Sequence, residues 1–225
     1  MSTESEKDPV RRLLRLDSCA VSDALDKLGL RGAVTGILPL SCSSKVCGRA
    51  VTVKLVDAVK VVERGGQKTH LCARAIEIAE PGDVIVVEQR SGVTAGSWGG
   101  ILSTGAKLSG VAGIVSEGLV RDVDEARALG FPIYARGATA LTARGRVSEL
   151  ETGGPVQIGD IAVNSGDYVI ADSTAVVFVG ADVITVVLDA AEQIAKREAA
   201  MGKALMQGKS ITAVMGADYE EMLDQ

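Results

Sequence analysis

An apolar run, VAGIVS (residues 111–116), gives way within a few residues to an adjacent cation and anion, Arg121-Asp122. A polar, helix-like segment, DVDEARALG, follows directly. Arginine presents a planar fork of N–H donors suited to a carboxylate or an enolate oxygen. Aspartate offers a hard oxygen ligand for Mg²⁺, which keeps several waters and needs few protein ligands. Upstream, SGVTAGSWGG (91–100) follows another apolar run, VIVVE (84–88), and opens a second helical pattern. Backbone N–H groups at the start of that helix, after Gly99-Gly100, could hold a carboxylate or phosphate. Together these groups suit lyase chemistry on a 2-oxo acid, where a metal polarises the carbonyl and the protein stabilises an enolate. The same pair has a plainer reading, an N-cap with a solvated ionic neighbour, and spacing alone leaves both open.

Other chemistries find little support. No G-x-G-x-x-G follows a strand pattern, no Walker A sequence is present, and no G-x-S-x-G elbow appears. The single histidine, His70, lies in an expected helix, KTHLCARAIEIA, and reads as an ordinary surface or partly packed residue. Cys19, Cys42, Cys47 and Cys72 lack paired CxxC spacing, so they read as reduced thiols packed like small apolar residues.

The elements that must position Arg121 and Asp122 follow from periodicity. Asp8-Pro9 caps a first helix over VRRLLRL, and Asp17-Ser18 opens a second that runs to Gly29. LRGAVTGILPLS reads as loop, and KVCGRAVTVKLVDA as a strand with Val51, Val53 and Leu55 on one face. From residue 68, helical segments alternate with short runs apolar on both faces (84–88, 111–116 and FPIYAR), the pattern of a parallel βαβ arrangement. The residues EGLV are expected to form a short turn between the run 111–116 and Arg121. In such sheets ligands collect beyond the carboxyl ends of strands, so Arg121-Asp122 and the segment 91–100 face one crevice if their strands are neighbours. After residue 145, closely spaced Gly, Asp and Ser turns indicate several short antiparallel strands, and a long helix spans about Asp182 to Gln207.

The 225 residues carry a net charge of −5 and a pI near 5.1. That argues against nucleic acid as a partner, because phosphate neutralisation needs a basic face. The polar start lacks a signal-peptide apolar region and no run approaches a membrane span, so a cytoplasmic protein is expected. No linker divides the chain, which reads as a single α/β domain over residues 1–225.

Several blocks carry a family resemblance: SDALDKLG (22–29), GRAVTV (48–53), PGDVIVV (81–87), WGGILSTGAKLSGVAGIV (98–115), GLVRDVDEARALGFPIYARG (118–137) and SGDYVIAD (165–172). The chain resembles the regulator-of-ribonuclease-activity-A-like superfamily, which includes the 4-hydroxy-4-methyl-2-oxoglutarate / 4-carboxy-4-hydroxy-2-oxoadipate aldolases. The resemblance implies a three-layer swivelling β/β/α-like domain with its core over about 16–200 and a C-terminal extension over 201–225. It also implies a homotrimer or a dimer of trimers with active sites between subunits.

By the same resemblance, Arg121 binds substrate and stabilises the enolate, and Asp122 is the direct Mg²⁺ or Mn²⁺ ligand. The backbone amides of Gly99, Gly100, Ile101 and Leu102 receive the carboxylate of a small 2-oxo acid. Glu198, the nearest match to a glutamate delivered by the adjacent subunit, would support metal-bound water. One departure stands out: the family's lyases carry an Asp or Glu where this chain has Gly100. Loss of a positioned proton-transfer group typically costs about 10² to 10⁴ in rate. Glu117 and Asp124 are the nearby carboxylates weighed as substitutes, against a reading as solvated residues.

Three functions are therefore expected to compete. The first is a divalent-metal-dependent lyase that cleaves or decarboxylates a 2-oxo acid through an enolpyruvate intermediate. The second is a non-catalytic protein that binds and regulates ribonuclease E. The third is the same fold redirected to another carbon–carbon cleavage or enolisation, with Gly100 opening the pocket and Trp98 shaping its wall.

Overall fold

The computed structural model describes residues 8–63 and 70–216. Asp8 accepts a hydrogen bond from the Val10 N–H at 3.0 Å and caps α1 (Pro9–Leu13), while Asp17 accepts from the Ala20 N–H at 2.8 Å and caps α2 (Ser18–Lys27). Gly29, at φ +67°, turns the chain out of α2. The segment expected as loop holds two minimal strands, β1 (Ala33–Val34) and β2 (Leu38–Pro39).

The long strand β3 (Val46–Asp57) is followed by α3 (Ala58–Glu63) and α4 (Ala73–Ile78). Then come β4 (Val84–Gln89), α5 (Gly100–Leu108), β5 (Gly113–Val120), α6 (Val123–Leu129) and β6 (Ile133–Ala138). The antiparallel region supplies β7 (Val147–Thr152), β8 (Val156–Ile158), β9 (Ile161–Val163), β10 (Tyr168–Ala171) and β11 (Val176–Val179). The C-terminal part forms α7 (Ile184–Met206) and α8 (Ile211–Val214).

The fold is α/β, a mixed sheet curled into a half-barrel with helices outside it and a long C-terminal helix. Strands β3, β4, β5 and β6 lie side by side and parallel, as the alternating pattern requires. Strand β3 joins the two halves: Val46–Arg49 pair antiparallel with β10, Ala50–Leu55 pair parallel with β4, and its end pairs antiparallel with β7. Val51, Val53 and Leu55 share one face, packed with Ile85, Val87, Ile114 and Ile133 under Ala75 of α4, Leu102 and Ala106 of α5 and Ala126 of α6. The alternate residues, among them Val84, Val86, Val115 and Tyr134, point inward to the β8–β9 hairpin and to β10 and β11. Outside β10 and β11, α2 and α7 pack on Ile170, Val177 and Val179.

Two expected elements need correction. The helix expected over KTHLCARAIEIA is confined to Ala73–Ile78; His70 precedes it, and residues 68 and 69 lie outside the described residues. The expected turn EGLV is strand, because β5 continues through an irregularity between Ser116 and Leu119 and resumes pairing with β6. Gly118 sits at this irregularity, and a Cβ there would come within 2.8 Å of Gln89 Cβ on β4. The four cysteines are free; Cys47 and Cys72 are buried, but Cys19 is exposed and Cys42 half-buried, so only two fit the packed reading. Burial pushes the Cys47 thiol up to about 12 and the Cys72 thiol well above its ordinary value, so neither is a ready nucleophile.

Candidate active site

Strand β5 delivers Arg121 and Asp122 directly. Residues 96–98 run alongside its last residues: Ser97 N–H donates to Leu119 O at 2.7 Å and Arg121 N–H donates to Trp98 O at 2.8 Å. This short parallel zipper brings Gly99 and Gly100, which open α5, against Asp122. The floor is rigid. Trp98 is 2% exposed, donates from Nε1 to Ser103 Oγ at 2.9 Å and stacks on Phe131 at 6.4 Å between ring centroids.

Asp122 sits in the left-handed region at φ 56°, ψ 39°, and its side chain caps no N–H of α6. The N-cap reading is thus half right: the residue stands at the N-cap position, but its carboxylate is turned elsewhere. Oδ2 accepts from the Gly100 N–H at 3.0 Å, and Oδ1 lies 3.9 Å from Nη2 of Arg121. Cys72 is the other non-glycine residue with positive φ among the described residues, and it too borders this region, its thiol donating to Ser97 O at 3.7 Å. Each such conformation costs on the order of 1–3 kcal/mol, and such residues gather at functional sites. Gly96 makes room for Arg121, since a Cβ there would lie 2.5 Å from Arg121 Cγ.

These residues enclose an open cleft of about 240 Å³. Gly99, Gly100, Ile101 and Leu102, Arg121 and Asp122, and Thr142 and Arg144 all line it. The first helical bond of α5 runs from Ser103 N–H to Gly99 O, so Ile101 and Leu102 N–H groups have no partner within the helix. The Gly100 N–H, by contrast, is already held by Asp122. His70 is exposed and lines the same cleft, a placement its sequence position did not suggest.

The two carboxylates weighed as substitutes at Gly100 are engaged elsewhere. Glu117 pairs with Arg136 at 3.2 Å and accepts from the Gly159 N–H at 2.9 Å, and Asp124 pairs with Arg127. The space over Gly100 is taken by the end of the exposed Glu125 side chain. A Cβ built on Gly100 would overlap Oε2 of Glu125 and lie 2.9 Å from its Cδ and 3.4 Å from Asp122 Cβ. Glu125 was missed in the sequence, although its D-x-x-E spacing from Asp122 places both at the start of one helix.

Glu198 lies on α7, which packs in the cluster over β10 and β11, whereas α5 and α6 pack over β4, β5 and β6. Burial raises its pKa, with added repulsion from Asp17 and Asp23. Within one chain it is not among the residues of the cleft.

Among the described residues, no three His, Cys, Asp or Glu side chains form a metal-binding group. Asp122 nevertheless keeps one oxygen free of hydrogen bonds to the chain and lines an open cleft. That donor set fits a hydrated Mg²⁺ or Mn²⁺, which takes one or two carboxylates and retains waters.

A family model described as RraA-like, Aldolase/RraA, matches residues 18–178. The chain belongs to the Aldolase/RraA family. It is 28% identical over 210 residues to protein DlpA of Legionella pneumophila, covering 92% of this chain but only 34% of that longer protein. It is 29% identical to a protein of Halalkalibacterium halodurans named "Putative 4-hydroxy-4-methyl-2-oxoglutarate aldolase", with 77% of each covered. Among solved structures, RraAS2 of Streptomyces coelicolor, described as an unusual member of the RNase ES inhibitor RraA protein family, superposes with a TM-score of 0.75. It shares 28% identity, and 85% of this chain and 93% of that one are covered. Among the described residues, no helix of this Aldolase/RraA member is long and apolar enough to cross a membrane.

Proposed function

We propose that this protein is a divalent-metal-dependent lyase that cleaves or decarboxylates a small 2-oxo acid through an enolpyruvate intermediate. The observation that carries the reading is the meeting, in one cleft, of Arg121, a half-committed Asp122 and the N-terminus of α5. The aldolase names of relatives agree with it.

The substrate carboxylate binds the N–H groups of Ile101 and Leu102, assisted by the edge of Gly99-Gly100, where the helix dipole favours negative charge. Arg121, fixed through its backbone by Trp98, places its guanidinium on the 2-oxo oxygen and stabilises it as an oxyanion. Asp122 would hold Mg²⁺ or Mn²⁺ through the oxygen that Gly100 leaves available, and such an ion polarises the 2-oxo carbonyl. In a trimer or dimer of trimers, Glu198 of the partner subunit would accept hydrogen bonds from water around such an ion.

Pyruvate release from oxaloacetate and from 4-hydroxy-4-methyl-2-oxoglutarate, with Mg²⁺, Mn²⁺ or EDTA, tests this reading. Asp122→Asn is the informative variant because Asn tolerates the left-handed backbone that Ala would strain. Metal-dependent release that vanishes in the variant supports the lyase. Release no faster than with free metal removes it and leaves a protein-binding role, which the likeness to RraAS2 favours. Pull-down of a ribonuclease of the E type then becomes the deciding measurement.

A further inference from the structure

We infer that Glu125 supplies the proton-handling carboxylate that the site lacks at Gly100. The inference rests on the lyase reading and extends it to a residue for which neither sequence nor family resemblance gave a role. A side chain at position 100 would have to begin where Glu125 ends: its first carbon would overlap Oε2 of Glu125 and lie 2.9 Å from Cδ. The same point is 3.4 Å from Asp122 Cβ, so the Glu125 carboxylate reaches the side of Asp122 on which a group from position 100 would stand. The absence of a Cβ at Gly100 is what admits it. The other nearby acids are tied down, Glu117 to Arg136 and the Gly159 N–H, Asp124 to Arg127. Among the described residues no hydrogen bond or ion pair engages Glu125, which is exposed and is not itself one of the residues lining the cleft.

In a retro-aldol cleavage, the substrate hydroxyl must lose a proton as the carbon–carbon bond breaks. Glu125, acting through an intervening water, accepts that proton. The bonding pair passes into the pyruvate enolate, whose oxygen Arg121 stabilises, and the hydroxyl carbon becomes a carbonyl. The proton then returns from Glu125 to the enolate carbon, giving pyruvate and restoring the carboxylate. No outside acid, base or oxidant is required.

The test moves the carboxylate. Pyruvate release from 4-hydroxy-4-methyl-2-oxoglutarate with Mg²⁺ is measured for wild type, Glu125→Gln, Glu125→Ala and the double variant Gly100→Asp/Glu125→Ala. Oxalate affinity by calorimetry and thermal melting accompany each. Glu125→Gln is expected to lower kcat by about 10² to 10⁴ while leaving KM and oxalate affinity nearly unchanged. The double variant, with its carboxylate returned through position 100, is expected to recover at least about tenfold over Glu125→Ala, a coupling that independent sites would not show. Glu125→Gln with wild-type kcat overturns the inference. So does a loss that tracks melting temperature or oxalate affinity, because an acid in the first turn of α6 can act on helix stability alone. A silent wild type is a different result: it removes the lyase reading, and the assignment of Glu125 falls with it.

Discussion

Two aspartates end two strands of this molecule and do opposite things. Asp172 follows β10, and its oxygens accept from Ser18 Oγ at 2.7 Å, Ser18 N–H at 2.8 Å, Thr174 N–H at 2.9 Å and Ala175 N–H at 3.3 Å. Asp122 follows β5 and accepts a single bond, from Gly100 N–H at 3.0 Å. Asp172 ties the β10–β11 turn to the start of α2, and its acceptors are filled. Asp122 stands on a left-handed backbone with an oxygen to spare and an arginine beside it. A carboxylate whose lone pairs are spoken for can only hold structure; one kept open at a backbone cost is available to a ligand.

The largest expected effect breaks the comparison on the side of chemistry. Asp122→Asn should lower pyruvate release by about 10³-fold, as loss of a central electrostatic group does. Its melting temperature should stay close to wild type, since Asn keeps both the left-handed backbone and an acceptor for Gly100 N–H. Asp172→Ala should do the reverse. It strands the Ser18 N–H and hydroxyl, on a residue only 1% exposed, at a cost of about 1–3 kcal/mol. For a chain of this size each kcal/mol lowers Tm by roughly 2–4 °C, readable by calorimetry, while kcat at low temperature is retained.

The sequence pointed to the chemical member of this pair and gave the structural one no role, although much around Asp172 was legible. The helix that Asp172 serves could be read from Asp17-Ser18, and the faces of β3 from Val51, Val53 and Leu55, because caps and alternation are local signals. The α/β alternation through residues 81–138 was legible for the same reason, and so was the antiparallel character of the region after 145. Glu125 was not legible. Its role depends on α6 beginning against the start of α5, a contact set by the pairing of residues 96–98 with the end of β5. Nor could periodicity show β5 crossing EGLV, because an irregular pair hides the alternation on which the strand signal depends. His70 reached the cleft through a non-helical segment, where sequence pattern expected helix.

Gly96→Ala sharpens the comparison with a smaller effect, acting on the neighbour of Asp122. The added carbon would meet Arg121 Cγ at 2.5 Å and Cδ at 2.8 Å, so the guanidinium must shift. A displacement of about 1 Å at a positioning group costs on the order of 10² in rate. If Arg121 binds substrate as proposed, part of the loss should appear as a raised KM. An unchanged KM and kcat would show that the fit of Arg121 over Gly96 is irrelevant to turnover.

The smallest effect separates Asp172 from the acids around α7 by pH. Burial acts to raise the pKa of Asp172, but its bonds from Ser18, Thr174 and Ala175 outweigh that and hold it below the ordinary 3.8. The folded protein therefore binds fewer protons at this site than the unfolded chain. Its contribution to stability is present above 3.8 and disappears as pH falls through the lowered folded value. Glu198 and Asp23 behave in the opposite sense. Burial first, then neighbouring aspartates, raises both above their ordinary values of 4.5 and 3.8, so their contributions are present below those values and are lost as pH rises through the raised folded ones. Urea unfolding measured across the acid range should show the two limbs independently. Asp172→Asn is expected to flatten the acid loss below 3.8, and Glu198→Gln the opposite trend above 4.5. If Asp172→Asn leaves the acid limb intact, the four bonds do not stabilise the ionised form, and the contrast with Asp122 loses its structural half.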